Sequence, residues 1–148
     1  PTDAPAHALA PMSETAPTLQ SFTAKSHGYA VFPRVTKAAV GIGGAGGKGI
    51  VFKGHVPTGE STLSQATIGF QLGGQQYMEV IFFENEKAYE KFTNKKVKFD
   101  GQASAVAITA GASVDIAFKG GMAVFTQSKG GLMYEASIGG QHFSFKPK

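Results

Sequence analysis

The sequence predicts a mainly β domain (α+β), a Gly-kinked antiparallel β-barrel-like core with a few peripheral helices. First, short apolar runs alternate with glycines along residues 28–52, GYAVFPRVTKAAVGIGGAGGKGIVF, and the same grammar returns over 68–83 and 119–145. Second, the runs recur at a spacing of about 8–12 residues, the rhythm of sandwiches and barrels. Third, 20 of 148 residues are glycine, about double the usual share of roughly 7%. Glycine inside a strand pattern marks bulges, bends and close backbone approach. Bent strands favour closure, and closure removes adhesive edges.

Taken in order, residues 1–17 hold Pro1, Pro5, Pro11 and Pro17 among Ala, Ser and Thr. That is linker composition and predicts a disordered leader ahead of one folded domain over 18–148. Residues 18–27 read as a short helix with Leu19 and Phe22 on one side and Gly28 as its stop. A strand over 29–32 is expected to end at Pro33. Strands over 37–42 and 49–53 flank 43–47, a hairpin turn or flexible loop, with high mobility expected across 43–49. Residues 55–60, with Pro57 and Gly59, read as a second turn. Strands over 63–72 and 76–83 are then joined by Gly73-Gly74, a two-residue hairpin signal.

One helix stands out after these strands. Asn85 suits the N-cap, Glu86 suits the first turn, and Lys95 and Lys96 suit the C-terminal end. Ala88, Tyr89 and Phe92 supply its buried face. Further strands follow over 103–110, 113–118, 122–126, 132–138 and 142–145, punctuated by glycine pairs at 120–121, 130–131 and 139–140.

Composition narrows the function classes. At 42% hydrophobic content the chain supports one core, and 12 Phe with no Trp predict that it is Phe-rich. No apolar run approaches the ~18–20 residues of a membrane span. The absence of cysteine removes disulfides, thiolate metal sites and a Cys nucleophile. The chain opens on Pro1 rather than Met, which leads to the expectation of an upstream segment removed by processing.

Motifs for catalysis fail one by one. Gly41-Ile42-Gly43-Gly44-Ala45-Gly46 matches G-x-G-x-x-G in letters, yet a strand pattern follows where the dinucleotide mechanism needs a helix N-terminus. A P-loop fails because Ile42 replaces its first glycine and Gly49 its Ser/Thr. His7, His27, His55 and His142 lack metal-ligand spacing. Ser104, in Gly101-Gln102-Ala103-Ser104-Ala105, lacks the second glycine of a nucleophile elbow. Glu79, Glu84, Glu86 and Glu90 are the candidates for a carboxylate pair, although Glu86 and Glu90 read as helix-surface residues. The expectation is a non-enzyme with no cofactor and no metal. Nucleic acid is not expected either, since Arg34 is the only arginine and no aromatic RNA-binding motif occurs.

Charge is the remaining signal. The net charge is +4, and it is unevenly spread. Residues 31–59 carry Arg34, Lys37, Lys48 and Lys53 without an acid, whereas 60–90 are acidic. Lys91, Lys95, Lys96 and Lys98 follow, opposed by Asp100. A helix continuing through Lys98 would line Lys91, Lys95 and Lys98 along one face, worth roughly 1 kcal/mol per lysine toward anionic headgroups. The competing reading is a solvated face that keeps the protein soluble.

Three ordered blocks carry a family resemblance. The first is Gly28-Tyr-Ala-Val-Phe-Pro-Arg-Val-Thr-Lys37 with the glycines after it. The second is Ser64-Gln-Ala-Thr-Ile-Gly-Phe-Gln-Leu-Gly-Gly-Gln75. The third combines Glu79-Val-Ile-Phe-Phe83 with Ala88-Tyr-Glu-Lys-Phe92, and Lys129-Gly-Gly-Leu-Met133 follows it. Together they resemble the SYLF, or Ysc84-type, domain over about 18–145. The resemblance implies a lipid-binding module; eukaryotic members bind phosphoinositides, and bacterial members are typically exported. The basic N-terminal helix of the eukaryotic members is not matched, because Lys25 stands alone beside Asp3 and Glu14. Weak, mainly electrostatic binding of anionic lipids or phosphoinositides is therefore expected, through Arg34, Lys37, Lys48, Lys53, Lys91, Lys95, Lys96 and Lys98. Actin binding is not carried over. The expected setting is an exported, periplasmic or envelope-associated bacterial protein in peripheral contact with membrane, with a lipid anchor on a removed segment as one route. The alternative is a structural or protein-interaction domain with an envelope protein partner and incidental lipid affinity.

Overall fold

The computed structural model describes residues 26–37, 45–65, 75–100, 103–105, 118–128, 133–134, 136 and 138–148. The expected leader, most of the 18–27 helix, the strand segments 38–42, 66–72 and 106–117, and the glycine pairs at 73–74 and 130–131 lie outside them. In chain order the elements are β1 (Gly28–Lys37), β2 (Ala45–Lys53), β3 (Val56–Gln65), β4 (Gln75–Phe83), α1 (Glu86–Thr93), β5 (Met122–Ser128), β6 (Met133–Tyr134), β7 (His142–Phe143) and β8 (Lys146–Pro147). The strands form one antiparallel sheet in the order β6-β5-β4-β1-β2-β3-β7, with β8 also paired to β3. The sheet curls into a half-barrel.

Alternation along the strands explains the curl. Ala30, Phe32, Val51, Leu63, Ile81, Phe83 and Val124 point to one face and join a single buried cluster with Phe92 and Phe143. Its centre is aromatic: Phe92 lies 5.0 Å from both Phe83 and Phe143, and Phe32 lies 5.6 Å from Phe143. The expected Phe-rich core is therefore present. The intervening residues Tyr29, Phe52, Phe82 and Phe125 form a second buried aromatic set on the opposite face, with Tyr29 stacked on Phe52 at 4.9 Å. The middle of the sheet across β1, β4 and β5 is thus apolar on both sides, whereas β3 alternates buried and exposed residues.

Four local expectations are corrected. Pro33 does not end β1. The ladders to both β2 and β4 shift register around it, so a bulge accommodates the residue that has no N–H to donate. The turn expected at 55–60 is confined to Gly54-His55, with Gly54 at φ 63 and Lys53 opposite Val56. A glycine-first two-residue turn is the II′ hairpin pattern, and Pro57 and Gly59 belong to β3. The turn expected at Gly73-Gly74 lies outside the described residues, but among them β3 and β4 do not pair: β4 pairs with β1 and β5 while β3 pairs with β2, β7 and β8. Placing β4 beside β1 joins Tyr29 to Phe82 and Ala30 to Ile81, which buries both faces at once. Finally, residues 45–49 are strand rather than loop. Gly49 is buried, and a Cβ there would meet the Val31 carbonyl and come within 2.6 Å of the Phe32 ring. Its glycine serves close packing.

α1 forms as expected at its start. The Asn85 side chain accepts a hydrogen bond from the Ala88 N–H at 2.9 Å, and Glu86 occupies the first turn. Ala88 and Phe92 are buried and cap one end of the half-barrel, and Tyr89 is half-buried against Phe83.

Candidate functional site

The end of α1 decides where the lysines go. The helix stops at Thr93 and does not continue through Lys98, so the expected single face of Lys91, Lys95 and Lys98 does not exist. The Lys96 N–H donates to the Lys91 carbonyl at 3.0 Å, and the Lys95 N–H donates to the Phe92 carbonyl at 3.0 Å. Those two bonds, with Lys95 at φ 62, make a Schellman ending. The left-handed position usually belongs to glycine, and a lysine there costs about 1 kcal/mol. Val97 is then buried and Lys98 bridges to His142.

This turn gathers what a straight helix would have spread along its length. Lys91, Lys95, Lys96 and Lys98 are all exposed around one helix terminus and make no ion pair among the described residues. The negative end of the helix dipole lies beneath them and offsets part of their mutual repulsion. Asp100 and Glu90 are the nearest acids in sequence, both exposed.

The other candidate residues are placed elsewhere. Arg34 and Lys48 are exposed on the neighbouring strands β1 and β2, within the irregular stretch between the Val31↔Ile50 and Thr36↔Gly46 pairs. Lys37 closes β1, opposite Ala45 and Gln75. Lys53 stands apart from both groups. Its Nζ lies 5.6 Å over the Tyr89 ring and 3.9 Å from Glu86 Oε1. With both side chains about half exposed or more, that pair is worth under about 1 kcal/mol. The structure therefore divides the eight cations into a helix-end group of four, a sheet pair, and two outliers.

Sequence reasoning missed a buried polar cluster built from β3, β4 and the last segment of the chain. Gln141 Nε2 donates to Glu79 Oε1 at 3.0 Å and lies 3.3 Å from Gln65 Oε1 and 3.4 Å from the Tyr77 hydroxyl. Gln65 Nε2 donates to the Gly139 carbonyl at 2.9 Å. These two amides tie the last segment of the chain to β3 and β4, and the Gln141 amide donates to a carboxyl that is fully buried. Glu79 therefore does not pair with Glu84, Glu86 or Glu90, which are exposed. The available signal was period: Glu79 shares its face with Tyr77, Ile81 and Phe83.

Among the described residues no group of His, Asp and Glu is arranged to hold a metal, and no helix is long and apolar enough to cross a membrane. A half-barrel capped by one helix, with exposed cations at its rim, defines a small β-rich binding domain. The family model described as Ysc84, Las17-binding protein actin regulator, matches residues 64–147. The chain belongs to this Ysc84, or SYLF, family of binding domains. It is also similar to "Beta cell expansion factor A" of Aeromonas veronii, with 27% identity over 122 residues, covering 80% of this chain and 46% of that protein. The chain thus spans about half the length of that curated relative.

Proposed function

We propose that this domain binds anionic lipid headgroups, phosphoinositides included, weakly and through Coulombic attraction at the end of α1. One observation carries the reading: four exposed lysines without ion pairs among the described residues, drawn around one helix terminus by the Schellman turn. At roughly 1 kcal/mol per lysine the group supplies about 4 kcal/mol, a dissociation constant of about 1 mM. Such affinity matters only beside a membrane. It fits peripheral contact by a protein of the bacterial envelope, a setting suggested by the Pro/Ala-rich residues 1–17 and checked by fractionating the producing cell.

Co-sedimentation with vesicles tests the binding. Neutral phosphatidylcholine vesicles are compared with ones containing phosphatidylglycerol or a phosphoinositide, at low and high salt. Wild-type protein is expected to follow the anionic vesicles at low salt and to lose them as salt rises. The variant Lys91→Gln/Lys95→Gly/Lys96→Gln/Lys98→Gln, which keeps the turn, is expected to lose most of that binding. Equal binding to neutral vesicles, or an unaffected variant, would overturn the reading. A saturable, salt-insensitive protein partner in place of any vesicle binding would favour a protein-interaction domain.

A further inference from the structure

β8 builds a feature that no sequence motif marks. It lies against β3 through the pairs Gly59↔Pro147 and Glu60↔Lys146. The strand approaches this closely because residue 59 has no side chain; a Cβ there would stand 2.5 Å from the Lys146 carbonyl and 2.7 Å from the Phe145 ring. Where β8 meets β2 and β3 a pocket of about 230 Å³ opens. Ile50, Pro57 and Pro147 form its apolar lining, and Glu60, Lys146 and Lys148 its charged one. Both lysines are exposed and neither makes an ion pair with Glu60.

Two chemistries meet here. A site for a free anion has no use for an apolar lining of one isoleucine and two prolines. A site for a neutral apolar ligand has no use for two lysines that outnumber the single carboxylate, Glu60. The space holds roughly seven groups of water or methylene size at ~30 Å³ each, enough for a phosphate with the first few carbons behind it. Lys48 lies on the same face as Ile50, two residues along β2, and adds a third cation beside the mouth.

We propose that this pocket seats one anionic lipid molecule. Its phosphate lies between the Lys146 and Lys148 ammonium groups, and its proximal carbons rest on Ile50, Pro57 and Pro147. The proposal rests on the anionic-lipid reading above and gives that reading a defined site, separate from the end of α1. Glu60 repels the same phosphate, so it lowers the affinity.

The test is an NMR titration of the isotope-labelled full chain with soluble dihexanoyl-phosphatidylglycerol. Inorganic phosphate and dihexanoyl-phosphatidylcholine serve as separate arms. The expected result is saturable shifts at Ile50, Gly59, Glu60 and Lys146 with the anionic lipid, larger than with either control. Lys146→Gln/Lys148→Gln is expected to weaken binding at least tenfold with an otherwise unchanged spectrum, and Glu60→Gln to strengthen it about threefold. Phosphate alone giving the same shifts and affinity would overturn the proposal in favour of a plain anion site. Shifts confined to residues 91–98 and unaffected by the Lys146/Lys148 variant would overturn the pocket and leave headgroup binding at α1 standing. No shift with any anionic lipid, together with no vesicle binding, would overturn both.

Discussion

The two basic regions of this domain are built in opposite ways. At the end of α1, Lys91, Lys95, Lys96 and Lys98 are neighbours in the chain, and one local turn gathers them. Around β8, Lys48, Lys146 and Lys148 come from distant parts of the chain, and sheet register brings them together. The first region has more charge and no apolar lining among its exposed residues; the second has less charge but a lined pocket. Charge alone gives attraction that salt screens within about 10 Å at 0.1 M. Charge beside apolar surface adds a contribution that salt leaves intact. A local cluster therefore suits a diffuse anionic surface, and a register-built pocket suits one molecule.

The strongest way to break the comparison is Gly59→Val. The new side chain collides with the Lys146 backbone and the Phe145 ring, so β8 must move. A loss of about 3 kcal/mol is expected, read as a lower urea midpoint, and it should abolish the pocket's lipid shifts while the α1 end keeps its own. Lys95→Gly separates geometry from charge in the other region. Relief of the left-handed lysine should stabilise the fold by about 1 kcal/mol, raising the melting temperature by about 4 °C, while vesicle binding falls with the lost cation. An unchanged melting temperature would show that the turn carries no strain.

Asn85→Ala is a smaller probe at the opposite end of the same helix. Loss of the cap to the Ala88 N–H should cost about 1 kcal/mol without altering vesicle binding in the folded protein. A parallel loss of binding would mean that the lysine cluster depends on the whole helix rather than on its last turn. The mildest probe concerns the sheet. Burial raises the Tyr29 phenol above its usual value of 10.0, and Tyr29 stacks on Phe52 of β2. A raised folded value means that its stabilising contribution is complete below pH 10 and declines as pH climbs through the folded pKa. Stability measured by urea between pH 9 and about 11.5 should fall, and Tyr29→Phe should remove part of that fall. An identical slope in the variant would assign the loss to other groups.

Much of the fold was legible because its signals are local. Alternation revealed the β character, Asn85 and Glu86 marked the helix start, and phenylalanine content announced the aromatic core. The misreadings share one cause. Pro33, the Pro57 and Gly59 region, and the glycines at 45–49 look like breaks when read along one strand. Across the sheet they are a bulge, a paired strand and a packing site. The candidate site followed the same division. Four lysines in eight residues were visible as a cluster, but their arrangement hung on where α1 stopped, and Lys95 hid that stop by occupying a position where glycine is usual. Lys146 and Lys148 gave no signal, since their place is set by pairing with β3.

What the chain's order of residues determines by itself is its class: a glycine-rich antiparallel β domain of the Ysc84 family, with a capped helix starting at Glu86 and an excess of cations. Those properties depend on period, composition and short-range hydrogen bonds, which residues a few positions apart settle among themselves. Tertiary structure alone decided that β4 lies beside β1, that the buried Glu79 carboxylate accepts from the Gln141 amide of the last segment, and that a pocket forms where β8 meets β3. Each of those needs distant segments to bury apolar surface together, and no local preference records which partner will share it.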